Sequence, residues 1–143
     1  MYRNRKLTKA YKPSASRKVH YASSSNCPFC KKGQVEVIES GKDFRIVKNT
    51  YGYSYWEFMD VVDHLMIVPK RHVENMSDFS DKECAEVVRF MAKYEKLGYN
   101  VYAREKYNVI KSVPHQHTHL IKTTNKKSSF FIYIRRPYIV AKV

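Results

Sequence analysis

The stretch His115-Gln116-His117-Thr118-His119-Leu120 holds three of the six histidines in the chain. On a β-strand, residues at i, i+2 and i+4 project to one face, so the three imidazoles are predicted to stand in a row, with Gln116, Thr118 and Leu120 turned the other way. Imidazole acts as a nucleophile, proton shuttle or metal ligand near neutral pH. Burying three rings is costly unless each has a partner. A second pattern is Cys27-Pro28-Phe29-Cys30. Such a pair serves as a redox dithiol or as half of a four-ligand zinc site, two inert thiols being the remaining alternative. A redox thiol wants a strand before it and a helix N-terminus after it to lower its pKa. Here a Ser-rich stretch precedes the pair, and Gly33 and then a predicted strand follow, which fits a metal knuckle better. Two further ligands must come from elsewhere, and His72 and His115 are the candidates.

These residues need elements to position them. Residues 35–38 and 44–48 read as short strands separated by the turn Ser40-Gly41-Lys42-Asp43. The aromatic stretch 53–59 has strand character without clear edges, and 64–68 is a compact apolar strand that stops at Pro69. A helix is predicted over 81–97. Ser80 is its N-cap, Glu83 completes a capping box, and Gly98 is the stop. Cys84, Val87, Val88 and Met91 fall at i, i+3, i+4 and i+7 and are expected to form its apolar stripe, with Cys84 in the core. Strands follow at 99–103, 115–121, 130–134 and 139–143, with Arg135-Arg136-Pro137 as a turn. Strands on both sides of one strong helix predict an antiparallel α+β domain.

The segment His64-Leu65-Met66-Ile67-Val68-Pro69-Lys70-Arg71-His72 closely resembles the strand and turn that precede the helix in histidine-triad proteins. Their motif is His-φ-His-φ-His-φ-φ, with φ apolar, and residues 115–122 match its histidine spacing. With the Cys-x-x-Cys pair, three separated motifs occur in the family's order over residues 26–122. The resemblance implies a HIT-like fold with a zinc knuckle. In the zinc-bearing branch, similar to galactose-phosphate uridylyltransferases, the structural zinc ligands would be Cys27, Cys30, His72 and His115. It implies that His117 attacks the α-phosphorus of a nucleotide to give a covalent nucleotidyl-histidine, that His119 serves the phosphate oxygens or the leaving group, and that His64 faces the same pocket. A backbone carbonyl would hold the far nitrogen of His117. Ser112 would lie near the phosphate. Dinucleoside polyphosphates and nucleoside phosphoramidates are the substrates implied, and a homodimer the assembly.

The chain departs from that pattern in places. Gln116 and Thr118 are polar where relatives carry apolar residues. No glycine stands in the loop before Ser112, where Lys111 is a candidate to supply the missing positive charge. Asp60 and Asp63 are the acids nearest the position from which relatives hold ribose, and Trp56 or Phe58 is a candidate to stack on a base.

Composition bounds the rest. The chain has 143 residues, 43% hydrophobic and 14% aromatic, which is enough for one domain with a real core. Its formal net charge is +14. Residues 1–25 hold seven Lys/Arg and 122–143 hold six, neither with an acid, while the body between holds fourteen basic residues against all thirteen acids. The expected organisation is therefore a basic, flexible or loosely docked arm over 1–25, a domain over 26–122, and a basic, strand-forming extension over 123–143. Three cysteines and no apolar run after the basic start predict no disulfide scaffold, no secretory signal and a reducing cytoplasmic setting. No run is long enough for a membrane span. The basic arms keep open a protein that binds nucleic acid or processes its ends, and the missing loop glycines keep open a HIT fold that has lost catalysis.

Overall fold

The computed structural model describes residues 2–11, 24–108, 110–127, 131–135 and 138–142. Its strands are β1 (Val37–Ser40), β2 (Phe44–Lys48), β3 (Tyr55–Trp56), β4 (Met59–Pro69), β5 (Tyr99–Ala103), β6 (Thr118–Lys127), β7 (Phe131–Arg135) and β8 (Tyr138–Lys142). The helices are α1 (Arg5–Tyr11) and α2 (Asp81–Lys96), with a short 3-10 turn at Met76–Asp78. The main sheet runs β1-β2-β4-β6-β5, every neighbour antiparallel, with β3 folded onto β4. β7 and β8 form a separate hairpin. The α+β expectation is met: an antiparallel sheet and one main helix.

Strand alternation sorts the sheet into two faces. Phe44, Ile46, Leu65, Ile67 and Leu120 point to one side and bury against Val87, Phe90 and Tyr94 of α2. Val47, Met66 and Val68 point to the other, against Cys27 and Phe29. His64 lies two residues before Met66 on β4, and His119 is the cross-strand partner of Met66 on β6, so both share this second face. The sheet thus separates a helix-packed core from a face that carries the histidines.

The stripe of α2 differs from the expectation. Its buried residues are Glu83, Val87, Phe90 and Tyr94, whereas Cys84 and Val88 are exposed. The stripe is anchored by the two large aromatics at i+3 and i+7 from Val87, which bury more area than Cys84 or Val88. Glu83 tolerates burial on this stripe because Arg71 binds it through two nitrogens, at 2.6 and 2.9 Å, and its carboxylate also accepts from the Ser80 amide in the capping box. Those partners, the Arg71 hydrogen bonds foremost, hold its carboxyl down at about 2. Gly98, at φ +86°, ends the helix in a conformation that L side chains avoid. Gly41 admits the helix itself: a Cβ there would meet the Glu86 carboxylate at 2.2 Å and Phe90 at 2.9 Å. That carboxylate accepts from the Asp43 and Phe44 amides.

The aromatic stretch 53–59 is not one strand. Glu57 and Phe58 both take positive φ, 50° and 62°, so the chain reverses between β3 and β4. No Gly, Asn or Asp marks this turn, which is why composition concealed it. β4 therefore begins at Met59 and β6 continues to Lys127, past the residue at which the domain was expected to end. Residues 2–11 are docked on the domain. Tyr2 bridges Tyr55, and Arg3 Nε donates to the Tyr51 carbonyl at 2.7 Å. The Ser-rich stretch over 12–23 and the proposed turn at Arg136-Pro137 lie outside the described residues.

Candidate active site and metal centre

His115, Gln116 and His117 lie just before β6, and His119 is its second residue. His115, His117 and His119 are all buried, with exposures of 0%, 7% and 4%. Each ring has a partner, and the partners set the tautomers. The Nδ1–H of His117 donates to the His115 carbonyl at 2.8 Å, leaving the Nε2 lone pair uncommitted. The Tyr53 amide donates to His64 Nδ1 at 2.9 Å, so a neutral His64 carries its proton on Nε2. That proton faces His119 Nδ1 at 3.0 Å, and His119 in turn carries its proton on Nε2. The Asn49 amide nitrogen, 3.1 Å from His64 Nε2, meets another donor there and makes a contact, not a hydrogen bond. One backbone amide thus fixes the donor state of two histidines in series.

Burial dominates the electrostatics. It pulls His117 down to about 4 and His64 to about 3, and it holds His119 well below the ordinary imidazole value. Nearby cations add to the effect: Lys111 and Arg104 at His117, and Arg3 at His64. All three rings are neutral at pH 7, the state in which His117 Nε2 offers a lone pair.

His117 and His119 line a cavity of about 380 Å³. Four basic residues border it (Arg3, Lys48, Arg104 and Lys111), and among the described residues no acid does. Ser112 also lines it and accepts a 2.6 Å hydrogen bond from the Tyr11 hydroxyl of α1, so its own proton remains available to donate. Lys111 lies at the wall, but its ammonium is turned to Gln116 Oε1 at 2.7 Å and to the Glu74 carbonyl at 3.3 Å. That contact also accounts for Gln116, whose amide would otherwise be an unpaired polar group in the core. The acids near the expected ribose position do not reach the cavity: Asp63 binds Lys48, the Tyr99 hydroxyl at 2.5 Å and its neighbour's amide. Asn49 and Thr50, at the end of β2, line the wall instead. Trp56 packs with Tyr53 and Ile121 in the core and is not a cavity residue; the aromatic walls are Tyr11, Phe29, Tyr51 and Tyr53. Sequence reasoning missed Arg3, Tyr11, Asn49 and Arg104. All four arrive through tertiary packing from segments without a motif.

On the neighbouring side, Cys27, Cys30, His72 and His115 converge, with their ligand atoms all within 4.8 Å of one another. Cys27 Sγ lies 3.3 Å and Cys30 Sγ 3.5 Å from His115 Nδ1, and Cys30 Sγ lies 3.4 Å from His72 Nδ1. The sulfur–nitrogen edge of a tetrahedron with ordinary zinc bond lengths is about 3.6 Å. His115 Nε2–H donates to the Pro69 carbonyl at 3.1 Å, which turns its Nδ1 lone pair toward the sulfurs. Burial pushes the Cys27 thiol up to about 11, the opposite of what a redox nucleophile requires and the environment in which a cation is needed to hold a thiolate. The donor set fits a metal ion. The two centres touch: Phe29, inside the Cys-x-x-Cys turn, packs on His115 and on His117 with ring centroids 5.6 and 5.3 Å apart.

A family model described as the HIT domain matches residues 60–126. The chain is 27% identical over 125 residues to an uncharacterized 16.1 kDa HIT-like protein of Mycoplasma pneumoniae, which spans 80% of this chain and 83% of that protein. It is 28% identical over 114 residues to an adenosine 5′-monophosphoramidase of Schizosaccharomyces pombe, which spans 71% of this chain and 77% of that one. A hypothetical protein from Leishmania major shares the fold with a TM-score of 0.58 at 20% identity, over 74% of this chain and 78% of that chain. A HIT family hydrolase from Legionella pneumophila Philadelphia 1 shares it with a TM-score of 0.50 at 23% identity, over 66% and 90%.

Proposed function

We propose that the chain is a nucleotide hydrolase or nucleotidyltransferase that cleaves at the α-phosphate through a nucleotidyl-histidine on His117. The observation that carries this reading is the 2.8 Å hydrogen bond from His117 Nδ1–H to the His115 carbonyl, which leaves Nε2 as a lone pair in a basic cavity. In the first step Nε2 attacks the α-phosphorus, the bond to the leaving oxygen breaks, and that oxygen keeps the electron pair. His119 Nε2–H supports the developing charge. In the second step water or another acceptor attacks phosphorus, the P–N bond breaks, and the acceptor's proton passes to solvent. Ser112 is a donor to the phosphate, Lys111 a fixed positive charge behind it, and His64 the residue that holds the tautomer of His119. The relative named an adenosine 5′-monophosphoramidase supports a nucleotide substrate.

Cys27, Cys30, His72 and His115 are the proposed ligands of a structural zinc, whose role is to fix the Cys-x-x-Cys turn and His115. A homodimer and a cytoplasmic setting belong to the same reading. None of the described helices is long and apolar enough to cross a membrane.

The test is turnover of diadenosine tetraphosphate and of adenosine 5′-phosphoramidate. His117→Ala is expected to lower kcat by about 10³-fold or more on whichever substrate the wild type turns over. A wild type that cleaves neither substrate, or a His117→Ala protein as active as the wild type, would overturn the assignment.

A further inference from the structure

Arg3 reaches the cavity from outside every motif of the domain. Its segment is tied at both ends. Tyr2 bridges Tyr55 through backbone hydrogen bonds of 2.9 and 3.1 Å, and the Tyr11 hydroxyl donates to Ser112. Between these ties the Arg3 guanidinium lies 4.1 Å from the Tyr11 ring centroid and 4.7 Å from that of Tyr53, while its Nε is spent on the Tyr51 carbonyl. Stacking on two rings while its Nε is anchored holds a planar fork at low entropic cost. No acid within ion-pairing distance neutralises it among the described residues.

The placement is not symmetrical within the site. The Tyr53 ring under Arg3 is 4.7 Å from the His64 ring and 5.8 Å from that of His119. Arg104 shares this end, its Nη2 donating to the Tyr53 hydroxyl at 2.9 Å and its guanidinium lying 5.2 Å from the Tyr102 ring that stacks on His119, whereas the Lys111 ammonium is turned to Gln116. If His117 takes the α-phosphorus, the Arg3 end of the cavity, beside His119, is the leaving-group end.

We propose that Arg3 is a specificity-determining residue that binds an anionic leaving group, so that the site favours nucleotides whose α-phosphorus is joined to a further phosphate over those with an uncharged amine there. This rests on the reading of His117 as nucleophile and His119 as the leaving-group residue. In the cleavage step the bridging P–O bond breaks, the electron pair and negative charge pass to the departing phosphate oxygen, and Arg3 meets that charge with planar N–H donors. A phosphoramidate amine carries no such charge and gains nothing from the contact. The site lacks the loop glycine that would let backbone amides approach a phosphate, and the docked segment supplies a cation to the same cavity.

Two measurements on the full chain test this. The first is the ratio of kcat/KM for diadenosine tetraphosphate to that for adenosine 5′-phosphoramidate, in wild type, Arg3→Ala and Arg3→Lys. Arg3→Ala is expected to lower the ratio by about tenfold or more and Arg3→Lys by less, since the charge survives and the fork does not. A ratio unchanged in Arg3→Ala, with both activities falling together or neither falling, assigns Arg3 a structural role and overturns the proposal. The second is calorimetric binding of AMP and ADP, which needs no turnover. Wild type is expected to prefer ADP by about tenfold and Arg3→Ala to lose that preference; equal binding of both by wild type overturns the proposal. A wild type that discriminates ADP from AMP through Arg3 yet cleaves nothing would retain the phosphate contact while sinking the catalytic reading on its own.

Discussion

Each histidine of this site is defined by what its other nitrogen does. His117 gives one nitrogen to a backbone carbonyl, His115 gives one to Pro69, and His64 receives the Tyr53 amide. The cost of burying these rings is a pH-dependent stability. Folded His64 titrates at about 3, mainly through burial, against an unfolded value near 6.5. Between those limits the unfolded chain binds more protons, so stability rises with pH and is lost as pH falls below about 6.5. His119, also depressed, acts in the same direction. The urea midpoint is therefore expected to fall between pH 7 and pH 5, a window above the carboxylates, with a slope approaching about 1.4 kcal/mol per pH unit for each such histidine. His64→Asn should flatten that slope by its share. A midpoint independent of pH in this window would contradict the buried, neutral pair.

At the scale of elements, two predictions concern the backbone. Glu57 and Phe58 hold positive φ in the β3–β4 turn without Gly or Asn. Replacing them with Asn-Gly is expected to stabilise the chain by about 1 kcal/mol, read as a raised denaturation midpoint. A lowered midpoint would mean that the Glu57 or Phe58 side chain matters more than turn strain. Gly41→Ala places a Cβ 2.2 Å from the Glu86 carboxylate and is expected to destabilise by about 1–3 kcal/mol. An unchanged midpoint would show that the β1–β2 turn and α2 are not packed as described. The helix boundaries, the capping box and the strand that carries His64 were legible because local signals set them: Ser80 with Glu83, Gly98, and an apolar run stopped by Pro69. The face of α2 was not legible, because Cys84 and Val88 are as apolar as the true stripe and only the sheet decides which row is covered. The convergence of Cys27, Cys30, His72 and His115 was legible for the opposite reason, since few patterns place Cys and His at those intervals. Arg3, Tyr11 and Arg104 had no such signal; their roles arise from contacts between segments distant in sequence.

Across the whole molecule, the Cys/His cluster and His117 are joined through one residue. The His115 side chain belongs to the Cys/His cluster, and its carbonyl anchors His117. Phe29, held between the two cysteines, packs on the His117 ring. Removing the metal with a chelator is expected to lower the melting temperature by about 10 °C or more and to lower activity in parallel, with zinc restoring both. A chelated protein that melts and turns over like the untreated one would show that the four residues hold no structural metal. The basic pocket adds a second dependence at this scale: its four basic residues, with no lining acid among the described residues, should make nucleotide binding weaken as salt rises.

The proposed chemistry turns on a covalent bond between His117 and a nucleotide. The measurement that meets it most directly is acid-free rapid quench of the zinc-loaded protein with α-labelled substrate, followed by mapping of the label. Label is expected on the wild type that is retained in base, is lost in acid as expected for a phosphoramidate, maps to His117, and is absent from His117→Ala. Turnover by the wild type with no trapped label, or label on a residue other than His117, would contradict it.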